Sequence, residues 1–105
     1  MTTDRELLEL AAKAAGHKWD AVTRDGWLKT VITDEGDYTI WNPLSDDGDA
    51  LRLAVTIGLV VNCSRPSAGE PFKPHHVGQV DFSDPYAATR RAIVRAAAEI
   101  GRNMK

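Results

Sequence analysis

Trp41-Asn42-Pro43-Leu44-Ser45-Asp46-Asp47-Gly48-Asp49-Ala50-Leu51-Arg52-Leu53-Ala54-Val55 places an aromatic strand end, a proline turn and an acid-capped helix in immediate succession. Pro43 locks its own φ and pushes Asn42 toward extended geometry, so a strand ending at Trp41 cannot run on. Ser45, Asp46, Asp47 and Asp49 then offer side-chain oxygens to the N–H groups that the first turn of a helix leaves unsatisfied. The spacing predicts a helix from about Asp46 to Ile57, with Leu51, Ala54, Val55 and Gly58 on its apolar stripe and Gly58 as its stop.

Upstream of this unit, Trp27 to Thr33 and Tyr38 to Trp41 are rich in β-branched and aromatic residues and flank the turn-like Asp34-Glu35-Gly36-Asp37, which predicts a hairpin. Alternation puts Leu28, Thr30 and Ile32 on its core face, with Trp27, Lys29, Val31 and Thr33 on the other. Further back, Thr3-Asp4-Arg5-Glu6 has the form of a capping box, and Leu7, Leu10, Ala11 and Ala14 follow at helical spacing until Gly16. Downstream, Leu59 to Cys63 is an apolar run that predicts a third strand. Arg65 to His76 carries Pro66, Gly69, Pro71 and Pro74 and is expected to be an irregular loop. Val77 to Phe82 alternates as a fourth strand, with Val80 and Phe82 inward and Gln79 and Asp81 outward. Asp84-Pro85 is an oxygen cap followed by proline at the first helical position, and it opens an alanine-rich helix running to about Asn103. Tyr86, Arg90, Ile93, Ala97, Ile100 and Met104 describe its expected packing side.

The implied fold class is α+β: a mostly antiparallel sheet of about four strands packed with three helices, in the order α-β-β-α-β-β-α and sandwich-like. The pattern leaves open whether the helices cover one sheet face or both. With 105 residues, the chain is expected to form a single domain, residues 1–105. Hydrophobic residues at 43% and charged residues at 27% are ordinary globular values and argue against a disordered or fibrous class. A formal charge of −2 and a pI near 5.9 supply no overall attraction to nucleic acid or anionic membrane. Cys63 is the only cysteine, so an internal disulfide is excluded, and its strand-like flanks predict a buried, reduced thiol. The N-terminus lacks a basic region followed by an apolar one, and no run approaches the length needed to span a bilayer, so a cytoplasmic location is expected.

The WNPLSDDGDALRLAV block (41–55), together with RELLELAAKAAG (5–16) and DPYAATRRAIV (84–94), resembles small proteins of bacteriophages and prophages, and specifically the phage ABA sandwich domain family. The three blocks occur in the same order and cover under half of the chain. The resemblance implies a sheet between helical layers, in a protein made inside a bacterial cell from phage or prophage genes. It implies no particular activity.

The residues that could carry chemistry fall into a few groups. Asp34, Glu35, Asp37, Asp46, Asp47 and Asp49 form an acidic run without an intervening base. It lacks the ligand spacing of a calcium loop, and acids at a helix start already serve capping and the helix dipole, so its functional alternative is a partner surface. His75 and His76 are adjacent, so an extended backbone sends them to opposite sides, and no metal site is expected from them with Cys63. His17 is expected to meet the terminal carbonyls of the first helix. No nucleophile elbow or glycine-rich phosphate loop is present, and no enzyme, metal or cofactor is expected. Arg91, Arg95 and Arg102 share a broad face of the last helix with Arg90 beside them, and Glu99 is placed to pair with Arg95. That face is the candidate contact for nucleic acid or an acidic partner. Of the tryptophans, Trp19 or Trp27 is expected to be exposed. The leading expectation is a small accessory protein that binds a host or phage protein without catalysis. A nucleic-acid-binding module using the arginine face is the alternative, and a small metal- or nucleotide-binding protein the third.

Overall fold

The computed structural model describes residues 3–22, 28–31, 38–77 and 84–104. Its helices begin where the capping chemistry dictates. Helix α1, Asp4–Ala14, is capped by Thr3, whose hydroxyl accepts from the Glu6 N–H at 3.2 Å. Helix α2, Asp47–Ile57, is capped by Asp46 and stopped by Gly58, whose φ of 79° is a left-handed conformation that costs glycine nothing. Helix α3, Pro85–Asn103, has Asp84 as cap and Pro85 at the position where a missing N–H is harmless.

Among the described residues the chain forms three helices and six short strands, in the order α1, β1 (Lys18–Val22), β2 (Leu28–Val31), β3 (Tyr38–Trp41), α2, β4 (Val60–Asn62), β5 (Ser67–Gly69), β6 (His76–Val77) and α3. The class is α+β and every strand pairing is antiparallel, as the sequence implies. The pairing is divided between two three-stranded sheets, β1-β2-β3 and β4-β5-β6. Two strands escape the periodicity. Lys18–Val22 follows α1 directly and pairs with β2 across a register shift between Trp19 and Ala21. Ser67–Gly69 lies within the stretch expected to be loop, where its short, small residues carry no β signal; Ala68 is nonetheless fully buried. The fourth strand is seen at His76–Val77, and residues 78–83, with the expected inward Val80 and Phe82, lie outside the described residues. So do the Asp34-Glu35-Gly36-Asp37 turn and Trp27, and the side chains that would decide the hairpin's core face are not described either.

Helix α1 runs parallel to α3. Asp4 pairs with Arg91, Leu10 lies against Gly101 and Lys13 donates to the Met104 carbonyl at 2.9 Å, so both helices ascend together. The contact between them is unusually close. A Cβ on Gly101 would collide with the Leu10 carbonyl oxygen and stand 2.8 Å from its carbonyl carbon. Consistent with that approach, the core is built mostly from alanine: Ala11, Ala12, Ala50, Ala54, Ala68, Ala92, Ala96, Ala97 and Ala98, with Leu7, Leu8, Trp41, Leu53, Ile93 and Val94 as its larger members.

The helical stripes differ in part from the expected ones, with Ala54, Ile93 and Ala97 buried as expected. In α2 the buried residues are Asp49, Ala50, Leu53 and Ala54, whereas Leu51 and Val55 face solvent. In α3 burial spreads over Ala88, Ala92, Ile93, Val94, Ala96, Ala97, Ala98 and Gly101, while Tyr86 and Met104 are exposed. In α3 the close contact with α1 selects small side chains, so ranking positions by side-chain size misplaces the packed face.

Candidate functional site

The proline turn is rebuilt from its hydrogen bonds as one rigid corner. The Asn42 carbonyl accepts from the N–H groups of Ser45 (3.1 Å) and Asp46 (2.9 Å), and the Asn42 side-chain oxygen accepts from Leu44 N–H (2.9 Å). Asp49 ties this corner to the helix. Its buried carboxylate accepts from the Asn42 N–H at 3.0 Å and from Arg52 at 2.8 Å, and its own N–H donates to the Asp46 cap at 2.8 Å. Arg90 then pins the corner to α3, donating through Nε to the Leu44 carbonyl at 2.8 Å and through Nη1 to Asp47 at 2.6 Å. Among the described residues no buried side-chain polar atom lacks a hydrogen-bond partner.

These contacts account for half of the acidic run. Asp46 caps, Asp47 pairs with Arg90 and Asp49 is buried, so of the three only Asp47 presents a largely exposed carboxylate, at 64%. Asp34, Glu35 and Asp37 lie outside the described residues. Arg90 likewise leaves the arginine face, with its side chain only 17% exposed. The other three arginines stay together. Arg91, Arg95 and Arg102 line a cavity of about 290 Å³ with Leu7, Ala98, Glu99 and His76. Arg91 holds Asp4 through two bonds of 3.0 and 3.3 Å, and Arg95 donates to the Val77 carbonyl at 3.0 Å. Glu99 accepts from Arg102 at 3.1 Å, so the expected pairing with Arg95 is replaced by one three residues along the helix.

On the other side of α3, large apolar side chains surround a groove of about 530 Å³. Its walls are α2 (Asp47, Ala50, Leu51, Ala54), the first turns of α3 (Pro85, Tyr86, Thr89, Arg90, Ile93) and, on the third side, Val61 and Cys63. Of its lining residues Leu51 is 65% exposed and Tyr86 69%. Among the described residues only the Asp47–Arg90 pair brings full charges to this rim, and the pair is internally neutral. Cys63 is exposed in the turn after β4, contrary to the buried thiol expected of it, because the strand stops at Asn62. Asn62 turns the chain there, its side-chain oxygen accepting from the N–H groups of Ser64 and Arg65, both at 3.1 Å. The sequence signal for this turn was Asn62 itself, a residue that bonds its own downstream backbone.

The histidines occupy different settings. The expected contact of His17 with the terminal carbonyls of α1 is made by its backbone N–H, which donates to the Ala12 carbonyl, while its ring meets the Trp41 ring edge-on at 5.4 Å. Burial pushes the His17 pKa below its ordinary 6.5, against a smaller upward pull from Asp49. Trp19 is exposed, as expected of Trp19 or Trp27. Phe72, at the tip of the turn closed by Lys73 N–H and the Glu70 carbonyl, is fully exposed with a φ of 65°. Among the described residues no three His, Cys, Asp or Glu side chains converge as metal ligands, and no helix is long and apolar enough to cross a membrane. No protein-family model, curated protein or solved structure matches the chain.

Proposed function

We propose that the chain is a small non-catalytic binding protein of phage or prophage origin, acting in the bacterial cytoplasm by holding an apolar segment of a host or phage protein in the α2–α3 groove. The observation that carries the reading is an inversion of sizes: alanines make up most of the core while Leu51 and Tyr86 stand in solvent on the rim of one concavity that Val61 and Ile93 also line. Exposed apolar residues scattered singly are ordinary, but a group of them around a groove is the usual mark of a protein contact. The rim also restricts the occupant. Asp47 and Arg90 already neutralise each other, so an uncharged, aliphatic or aromatic segment complements the groove better than a charged one.

The test is capture from bacterial lysate by immobilised wild-type protein beside Leu51→Glu and Tyr86→Ala variants. A protein retained by the wild type and lost from both variants is expected, and the purified partner should then slow maleimide labelling of Cys63, which lines the same groove. Equal retention by the variants, or an unchanged labelling rate in the complex, removes the groove as the binding surface.

A further inference from the structure

The cavity on the opposite side of α3 has a different chemistry. We propose that Arg91, Arg95 and Arg102, with His76, form a phosphate-binding pocket, taking either the backbone of a single-stranded nucleic acid or a small phosphate compound. The three arginines line one concavity of about 290 Å³, ample for a phosphate group. Two of them are held in place by bonds that use few of their donors. Arg91 gives two N–H groups to Asp4 and Arg95 gives one to the Val77 carbonyl, from the five that each guanidinium carries. A guanidinium anchored in this way loses little further freedom when it grips an anion.

Charge and shape both favour phosphate. Arg91 pairs with Asp4 and Arg102 with Glu99, so the guanidiniums are already turned toward negatively charged oxygens. Among the described residues Arg95 is paired with no carboxylate, and its bond runs to the Val77 backbone carbonyl. The cations are distributed along α3, with Arg91 and Arg95 about 6 Å apart along the axis and Arg102 about 10 Å beyond. A tetrahedral group with several acceptor oxygens can engage forks arriving from different heights, whereas a planar carboxylate is satisfied by a single fork. His76 comes from β6, whose position against α3 is fixed by the Arg95–Val77 bond, so the pocket is closed by the same contact that orients its central arginine.

The probes are pyrophosphate and a fluorescein-labelled oligothymidylate, titrated at low salt into the wild type and into Arg95→Gln, Arg102→Gln and Arg65→Gln variants whose helical circular dichroism is unchanged. At least one probe should bind, with Arg95→Gln and Arg102→Gln each weakening it about tenfold, the loss typical of one charged contact, and Arg65→Gln, an exposed loop arginine outside the pocket, leaving it unchanged. Preference for the oligonucleotide with a log–log salt slope of about −2, as three contacts on a single strand require, assigns the pocket to nucleic acid. Pyrophosphate binding without that preference assigns it to a small phosphate. Absence of binding by both probes, or wild-type affinity in both pocket variants, overturns the proposal. Leu51→Glu should leave phosphate affinity intact, which keeps this result separate from the fate of the protein-binding groove.

Discussion

Helix α3 meets α1 and α2 in opposite ways. Against α1 it offers Gly101, and the backbones come so close that no side chain fits between them. Against α2 the helices are bordered by Leu51, Tyr86 and Arg90, and a groove of about 530 Å³ remains. The difference teaches that in this chain the closest helix contact is made by the smallest residues, while several large apolar side chains, Leu51 and Tyr86 among them, stay at the surface. Dispersion explains why: a close backbone approach multiplies atom pairs at near-optimal distance, each weak but many in number.

Adding one methyl group at the closest point should break the α1 side of the comparison. Gly101→Ala would drive a Cβ into the Leu10 carbonyl, a backbone atom that cannot rotate away, so the parallel helices must separate. The expected cost is about 3 kcal/mol, at the upper end for overpacking, measured as a lowered urea midpoint with an unchanged slope. A midpoint equal to the wild type would mean that the two helices are not seated against each other at this position.

The corner before α2 is the next most sensitive. Asp49→Ala removes an acceptor shared by the Asn42 N–H and Arg52 and leaves a buried donor unpaired, which should cost about 2 kcal/mol. Arg52→Ala is the informative partner. Its side chain is mostly exposed, so its loss should cost under about 1 kcal/mol, placing the weight on the backbone bond rather than on the ion pair.

His17 offers a smaller handle on the same corner through its contact with Trp41. Because burial lowers its pKa in the folded chain below 6.5, the unfolded chain binds the proton more readily. The stability due to neutral His17 is therefore present above pH 6.5 and is lost as pH falls below that value toward the folded-state pKa. Urea midpoints at pH 7.5 and 5.5 should differ less in His17→Phe than in the wild type. An equal difference in both would show that the corner does not sense this ring.

What could be foreseen from sequence follows the range of the interactions. The caps at Thr3, Asp46 and Asp84, the stop at Gly58 and the turn at Pro43 are local chemistry, and the helices begin and end where those residues place them. The face of α3 was harder to foresee because the rule that large apolar residues point inward fails when the neighbouring α1 backbone leaves space only for small residues. Ser67–Gly69 has no local reason to be a strand; it becomes one by pairing between β4 and β6. The arginine cavity was half visible. The spacing of Arg91, Arg95 and Arg102 gave the shared face, but the capture of Arg90 by Leu44 and Asp47, and the arrival of His76, depend on contacts between distant segments.

The smallest effect tests the other side of the comparison most sharply. If Leu51 and Val55 contribute surface rather than core, then Leu51→Glu and Val55→Glu should change stability by no more than about 0.5 kcal/mol, because both side chains are already mostly in water. An equal substitution at Leu53, two residues from each and almost fully buried, should prevent folding by placing an uncompensated charge in the alanine core. The contrast within one helix turn is measurable by thermal melts of the three variants. A large loss at Leu51 would mean that α2 presents this residue inward and that the groove belongs to the packed interior. An unchanged melt at Leu51 beside a failed fold at Leu53 would leave the groove's large residues without a structural reason to be apolar, which is the condition that a binding surface satisfies.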